Sequence, residues 1–307
     1  MSRWNPAELP DRAQVLTEGR NPRSADLHRW DVATCVEGFV QENLAVQAAF
    51  AAAAPAITAF ISAVLPGFRR GGRLVYLGAG TSGRLGVLDA SEAPPTFNVP
   101  VDRFIGLIAG GDGALRRSSE GKEDDPDGAV PALEELHLTA DDAVLAIAAG
   151  GTTPYCHGAL AWAKRRPQAP VTGFLSCAPI PLPVACDHLI VAAPGPELLT
   201  GSTRLKAGTV TKLVLNTIST TLMVQVGKCY GNLMVDVRAS YAKLVVRAAR
   251  FVSQLTGLDR PAALALLDAA DGQVKVAVVM HRGGLSRAAA EARLEAAEGH
   301  LGRIIDG

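Results

Sequence analysis

The sequence predicts an α/β fold, a doubly wound parallel sheet of five strands, on three observations. Five short apolar runs (73–77, 104–109, 143–148, 171–176 and 188–192) are continuous rather than alternating, as strands covered on both faces are. Stretches with helical pattern lie between most of them. Glycine turns follow three of the runs, at 78–83, Gly110-Gly111 and Gly150-Gly151. Three strand ends therefore point at one crevice, the place where such sheets bind ligands.

The elements follow in order. Residues 1–62 read as an N-terminal helical segment. No charge occurs from Asn43 to Phe68, and 45–65 is long enough to raise the question of a membrane span. The run is mostly alanine, carries Gln47 and a central Pro55, and leads at once into a strand, so it reads as two helices of a buried layer or a subunit interface. The opening Met1-Ser2-Arg3-Trp4-Asn5-Pro6 has no apolar core for an export signal. Residues 63–228 read as the sheet domain. Its first strand runs into Gly78-Ala79-Gly80-Thr81-Ser82-Gly83 and a helix over 82–90. Backbone N–H groups, the hydroxyls of Thr81 and Ser82 and a helix N-terminus then converge on one point, which favours a phosphate, and Arg84 adds a cation.

The same residues satisfy the Gly-x-Gly-x-x-Gly pattern of dinucleotide sites. That reading requires an acidic residue about 20 positions on, to hold a ribose. Asp89 and Glu92 come too early and Asp102 precedes the second strand, so it is set aside. A glycine turn that only packs a helix on a sheet, with Thr81 and Ser82 as caps, is the plainer alternative. Further helices are expected over 114–121, 129–136 and 155–165. After Pro194-Gly195-Pro196-Glu197, the hydroxyl-rich segment from Leu199 to Thr209 carries Arg204 and Lys206 and opens a helix reaching about Val226, a second anion contact. Residues 229–307 read as a small C-terminal helical bundle, with helices near 261–270, 274–280 and 285–305.

Composition narrows the function. With 48% hydrophobic and 20% charged residues, disorder is excluded, and 30 basic against 30 acidic residues leave no net charge to attract nucleic acid. The clusters Arg69-Arg70 and Lys164-Arg165-Arg166 read as solvated ends. Five cysteines (Cys35, Cys156, Cys177, Cys186, Cys229), odd in number and without a Cys-x-x-Cys, read as reduced cytosolic thiols and not as a zinc site. His157 and His188 read as packing or surface groups.

Taken together, several blocks resemble a known family: the run from Gly78 to Phe97, Gly106 to Gly111, Glu120-Gly121-Lys122-Glu123-Asp124-Asp125, Thr153-Pro154-Tyr155, Thr200 to Thr209, and Gly231 to Val237. The chain is similar to N-acetylmuramic acid 6-phosphate etherases, from Leu16-Thr17-Glu18-Gly19 to Val274-Lys275 and beyond. The resemblance implies a sugar isomerase (SIS) fold and a homodimer in the cytoplasm. It implies cleavage of the D-lactyl ether of N-acetylmuramic acid 6-phosphate, by elimination and hydration, with no cofactor, metal, nucleic acid or membrane partner. Such chemistry needs a base for the C2 proton and an acid for the departing ether oxygen. The resemblance places the acid at Glu92, which reads as lying just past a helix end braced by Pro94-Pro95, and the second carboxylate at Glu123. Around the substrate's phosphate it places Gly80, Thr81, Ser82, Arg84, Gly151, Thr152, Thr153, Ser202, Thr203 and Lys206. Glu120, Asp124 and Asp125 read as solvated or supporting groups.

Departures from the family pattern also gather near the ligand: Gly150 in place of a serine, Asp31-Val32 in place of a Ser-Thr pair, Val40-Gln41-Glu42-Asn43 in place of Asn-x-Glu-Asp, and Tyr241 in place of an asparagine. They imply altered substrate detail or weakened catalysis. Two alternatives accompany the etherase reading: a non-catalytic sugar-phosphate sensor resembling glucokinase regulatory protein, and an aldose-ketose isomerase on the same fold.

Overall fold

A computed structural model describes residues 15–119, 121–237 and 242–306. Tyr241, Glu120 and the first six residues lie outside the described residues. The chain divides into two compact units, one comprising Met1–Asp89 with Phe104–Ile218 and the other Ala90–Arg103 with Ser219–Gly307.

The first unit is built on five parallel strands: β1 (Leu74–Gly78), β2 (Phe104–Ile108), β3 (Ala143–Ile147), β4 (Val171–Ser176) and β5 (His188–Val191). Their order is β2-β1-β3-β4-β5, with Leu74 beside both Phe104 and Ala143. Every residue of β1 and β3 is buried, which is why these strands show no polar alternation. The chain leaves β1 for β2 on one side and enters β3 on the other. This reversal between β1 and β3 opens a crevice at their C-terminal ends.

Helix α1 (Val32–Glu42) starts at Asp31, whose carboxylate accepts the Thr34 N–H at 2.8 Å. The Asp31-Val32 departure is therefore a local helix cap. Helix α2 (Leu44–Arg69) is one helix, not two, and only one side of it is buried, including Val46, Ala49, Ala53, Ile57, Phe60, Val64 and Phe68. That stripe, at helical spacing, packs on β4 and β5, with Phe60 against Gly173 and edge-on to His188. Pro55 does not split the helix. By length and composition alone 32–69 is apolar enough to cross a membrane, yet α2 spends its larger apolar residues on the sheet.

Helix α3 (Gly80–Phe97) runs through Pro94 and Pro95, so Glu92 lies inside a helix and not beyond its end. The Asn98 N–H bonds the Pro94 carbonyl at 2.9 Å and closes the final turn. Short α4 (Gly113–Arg116) and α5 (Val130–Glu135) precede β3, where helices over 114–121 and 129–136 were expected, and the first of them ends five residues early. Helices α6 (Pro154–Lys164) and α7 (Lys206–Gln225) complete the layers. Asp142 fastens the N-terminal end of β3 to β1, accepting the Arg73 N–H at 2.8 Å and pairing with its guanidinium at 2.9 Å.

The second unit contains α8 (Ala242–Thr256), α9 (Arg260–Ala269), α10 (Val274–Gly283), α11 (Arg287–Ala296) and α12 (Gly302–Ile305). Its core joins Val235 and Val237 to Phe251, Val252, Leu267 and Val278. Buried Lys275 donates to Asp236 at 2.8 Å and to the Gly299 carbonyl at 2.7 Å, and Lys228 pairs with the same Asp236 at 2.9 Å.

Candidate active site

A polar cleft of about 350 Å³ opens at the reversal between β1 and β3. Its floor is the turn after β1 (Ala79, Gly80, Thr81, Ser82) and the turn after β3 (Ala148, Ala149, Gly150, Thr152, Thr153); Arg84, Glu123, Gly201 and Thr203 line it as well. A second cavity of about 330 Å³ shares Ala79, Gly80, Arg84 and Glu123 with the first. Glu123 and Arg84 therefore stand where the two meet.

The β1 turn is shaped by two glycines. Gly80 has φ +51, a left-handed conformation that suits glycine, and a Cβ at Gly83 would come within 2.5 Å of the Gly78 carbonyl oxygen. With that side chain absent, α3 starts hard against the end of β1, and its first residues, Gly80, Thr81 and Ser82, line the cleft. Further along α3, Asp89 is buried and takes hydrogen bonds from Tyr76 on β1 at 2.9 Å and from Asn216 on α7 at 2.6 Å, which fixes the helix to the sheet. Arg84 is held by its Nε, which donates to the Leu115 carbonyl at 3.1 Å. The Tyr155 N–H donates to the Glu123 carbonyl at 3.0 Å, so the base of the Glu123 loop is tied to the start of α6.

Eight residues expected at the site from sequence line this cleft: Gly80, Thr81, Ser82, Arg84, Glu123, Thr152, Thr153 and Thr203. Gly151 lies between two lining residues, with its carbonyl 2.8 Å from Nε2 of His157, whose ring stacks on Phe174. Ser202 is adjacent to lining Gly201 and Thr203. Glu92 is exposed on the portion of α3 that belongs to the second unit and is not among the lining residues.

Lys206, expected near the phosphate, is not among the residues that line the cleft. It is buried and ion-paired with buried Glu42. Burial pushes the Glu42 carboxyl up, but the hydrogen bond and charge of Lys206, with Asn21 and Arg23, outweigh it and hold Glu42 below the usual carboxylate range. Fully buried Glu197 accepts the Lys206 and Ala207 backbone N–H groups at 3.0 and 2.9 Å, capping α7.

Sequence reasoning missed the strap that crosses the cleft. Val15, Thr17 and Glu18 line it, from a 3-10 turn at Leu16–Glu18. The one signal was a polar Thr-Glu pair between Leu16 and Gly19, far in sequence from every other site residue. All five cysteines are unpaired. Burial pushes the Cys156 and Cys177 thiols up to about 12, which disarms them as nucleophiles. Among the described residues no cluster of three or more His, Cys, Asp or Glu is arranged to hold a metal ion.

The parallel five-stranded sheet with its polar cleft at the strand reversal places the chain among proteins with a sugar isomerase (SIS) domain. In agreement, the family model "Glucokinase regulatory protein N-terminal SIS domain" matches residues 56–164. N-acetylmuramic acid 6-phosphate etherases are much more extensive matches. That of Gloeobacter violaceus is 54% identical over 89% of this chain and 89% of its own length. Those of Thermosynechococcus vestitus and Rhizobium rhizogenes are 50% and 46% identical, covering 90% and 89% of this chain and 90% and 88% of their own lengths. The chain belongs to the N-acetylmuramic acid 6-phosphate etherase family.

Proposed function

We propose that this protein cleaves the D-lactyl ether at C3 of N-acetylmuramic acid 6-phosphate, giving N-acetylglucosamine 6-phosphate and D-lactate. The observation that carries this reading is near-full-length identity of about half to named etherases, joined to a cleft lined by hydroxyls, Arg84 and the Glu123 carboxylate. The helix N-terminus at Gly80, the hydroxyls of Thr81, Ser82, Thr152, Thr153 and Thr203, and Arg84 hold the phosphate. Glu123 takes the C2 proton next to the open-chain aldehyde. Lactate then leaves from C3 as its ether oxygen is protonated by Glu92, and water adds across the resulting double bond. The role of Glu123 rests on its place in the cleft; that of Glu92 rests on the resemblance of the block from Ser91 to Phe97. Neither the elimination nor the hydration requires a cofactor.

A cytoplasmic homodimer acting in peptidoglycan recycling fits this reading. Supporting the dimer, α1 exposes Val32, Val36 and Val40 at helical spacing, 82%, 58% and 55% accessible, and exposed Leu44 continues the row. A contiguous apolar stripe of this kind marks a contact face.

The regulatory protein's domain model gives the sensor reading its one support, but it spans only 56–164, whereas the etherases match nearly the whole chain. Incubating the protein with N-acetylmuramic acid 6-phosphate separates the readings. D-lactate and N-acetylglucosamine 6-phosphate are expected in equal amounts; a ketose phosphate without lactate, or tight binding without turnover, contradicts the proposal.

A further inference from the structure

We infer that Thr17 is a substrate-binding residue: its hydroxyl bonds an oxygen of the bound sugar phosphate. The inference deepens the function proposed above and takes its ligand class from it. Among the described residues, Thr17 Oγ1 is the only buried side-chain nitrogen or oxygen without a hydrogen-bond partner. The residue is 1% exposed and belongs to the wall of the cleft. A buried hydroxyl left unpaired costs stability, so native proteins retain few of them, and one beside a ligand cleft is explained by the ligand.

The surroundings direct this hydroxyl. A Cβ at position 150 would lie 3.4 Å from Thr17 Oγ1 and 3.9 Å from Thr152 Oγ1. Because residue 150 is glycine, the two hydroxyls border a narrow space there, with Val15 Cγ1 at 3.5 Å on its third side, at the end of β3 and beside the groups proposed to hold the phosphate. Glu18, next in the chain, faces the opposite rim, its Oε2 3.5 Å from where a Gly201 Cβ would sit.

The strap carrying Thr17 is pinned along its length. Asn21 Nδ2 donates to Glu42 at 2.8 Å and to the Pro196 carbonyl at 3.3 Å, and Ser24 Oγ donates to the Leu198 carbonyl at 2.6 Å. Thr17 is thus held in place before ligand arrives, and its hydroxyl meets the ligand with little ordering cost. The Glu42–Lys206 pair acts on the site indirectly as an anchor of this strap, through Asn21.

Equilibrium binding to the full-length protein tests the inference independently of turnover, with N-acetylglucosamine 6-phosphate and inorganic phosphate as probes and a thermal melt alongside. Thr17→Val is expected to weaken sugar-phosphate binding about tenfold or more, the loss typical of a hydrogen bond to a charged group. Its melting temperature is expected to be unchanged or raised, since an unpaired hydroxyl is removed. Thr17→Ser is expected to bind within about twofold of the natural protein. If phosphate binding falls in parallel, the contact is to the phosphate; if only the sugar phosphate is affected, it is to a sugar oxygen. Unchanged affinity in Thr17→Val overturns the inference, as does a lowered melting temperature with affinity intact. Failure of the natural protein to bind the sugar phosphate would instead strike the proposed function.

Discussion

Glu123→Gln is expected to lower kcat for lactate release by about 10²- to 10⁴-fold, the range for loss of a positioned general base. The glutamine keeps the shape and polarity of the side chain but takes up no proton. Since Glu123 is exposed and its loop is held through backbone, by the Tyr155 N–H, the fold should be retained. Binding of N-acetylglucosamine 6-phosphate should likewise be near normal. The measurement is steady-state turnover with a coupled D-lactate assay, together with a binding titration. Turnover at the natural rate in this variant would remove Glu123 from the chemistry.

Lys206→Met is expected to destabilise the protein by about 3 kcal/mol, because it leaves the buried Glu42 carboxylate without its nearest cation. Arg23 still reaches Glu42 at 3.3 Å, but its side chain is 74% exposed and compensates only in part. At about 2–4 °C per kcal/mol for a unit of this size, the melting temperature should fall by about 6–12 °C. The double variant Glu42→Gln with Lys206→Met should recover much of the loss, since neither charge then remains buried.

The pair also has a pH signature. The folded Glu42 carboxyl titrates below its ordinary value, so its contribution is present above that value and lost as pH falls through the lowered one. The single variant should lose this part of the acid limb of the stability curve. An unchanged melting temperature with weakened phosphate binding would return Lys206 to the ligand, where sequence reasoning put it.

The sheet was legible because its physical signal is local. A strand buried on both faces is a short unbroken apolar run, and all five runs became strands within one or two residues of the expected limits. The β1 turn was legible for the same reason, since glycine spacing, hydroxyls and a helix start lie within six consecutive residues. Helix limits were less readable where proline spoke against the outcome. Pro55 lies on α2 beside Ala54, both solvent-exposed, and Pro94-Pro95 lie in the last turn of α3, where no further turn of helix follows for their rings to disrupt.

What the sequence does not show are pairings made across long sequence separations. Glu42 is the last charge before a run of 26 uncharged residues ending at Phe68 and meets Lys206 from 164 positions away. Thr17 acquires meaning only when the strap is laid beside Gly150. Neither partner has a pattern of its own, so composition and periodicity cannot pair them. The departure at Gly150, a glycine in place of a serine, lies in three dimensions beside the Thr17 hydroxyl.

Turnover of N-acetylmuramic acid 6-phosphate in heavy-oxygen water, with both products analysed by mass spectrometry, tests the route of ether cleavage. Elimination followed by hydration predicts one heavy oxygen at C3 of the N-acetylglucosamine 6-phosphate and none in the ether-derived hydroxyl of D-lactate. Heavy oxygen in the lactate hydroxyl, or no lactate from protein that binds the sugar phosphate, would contradict it.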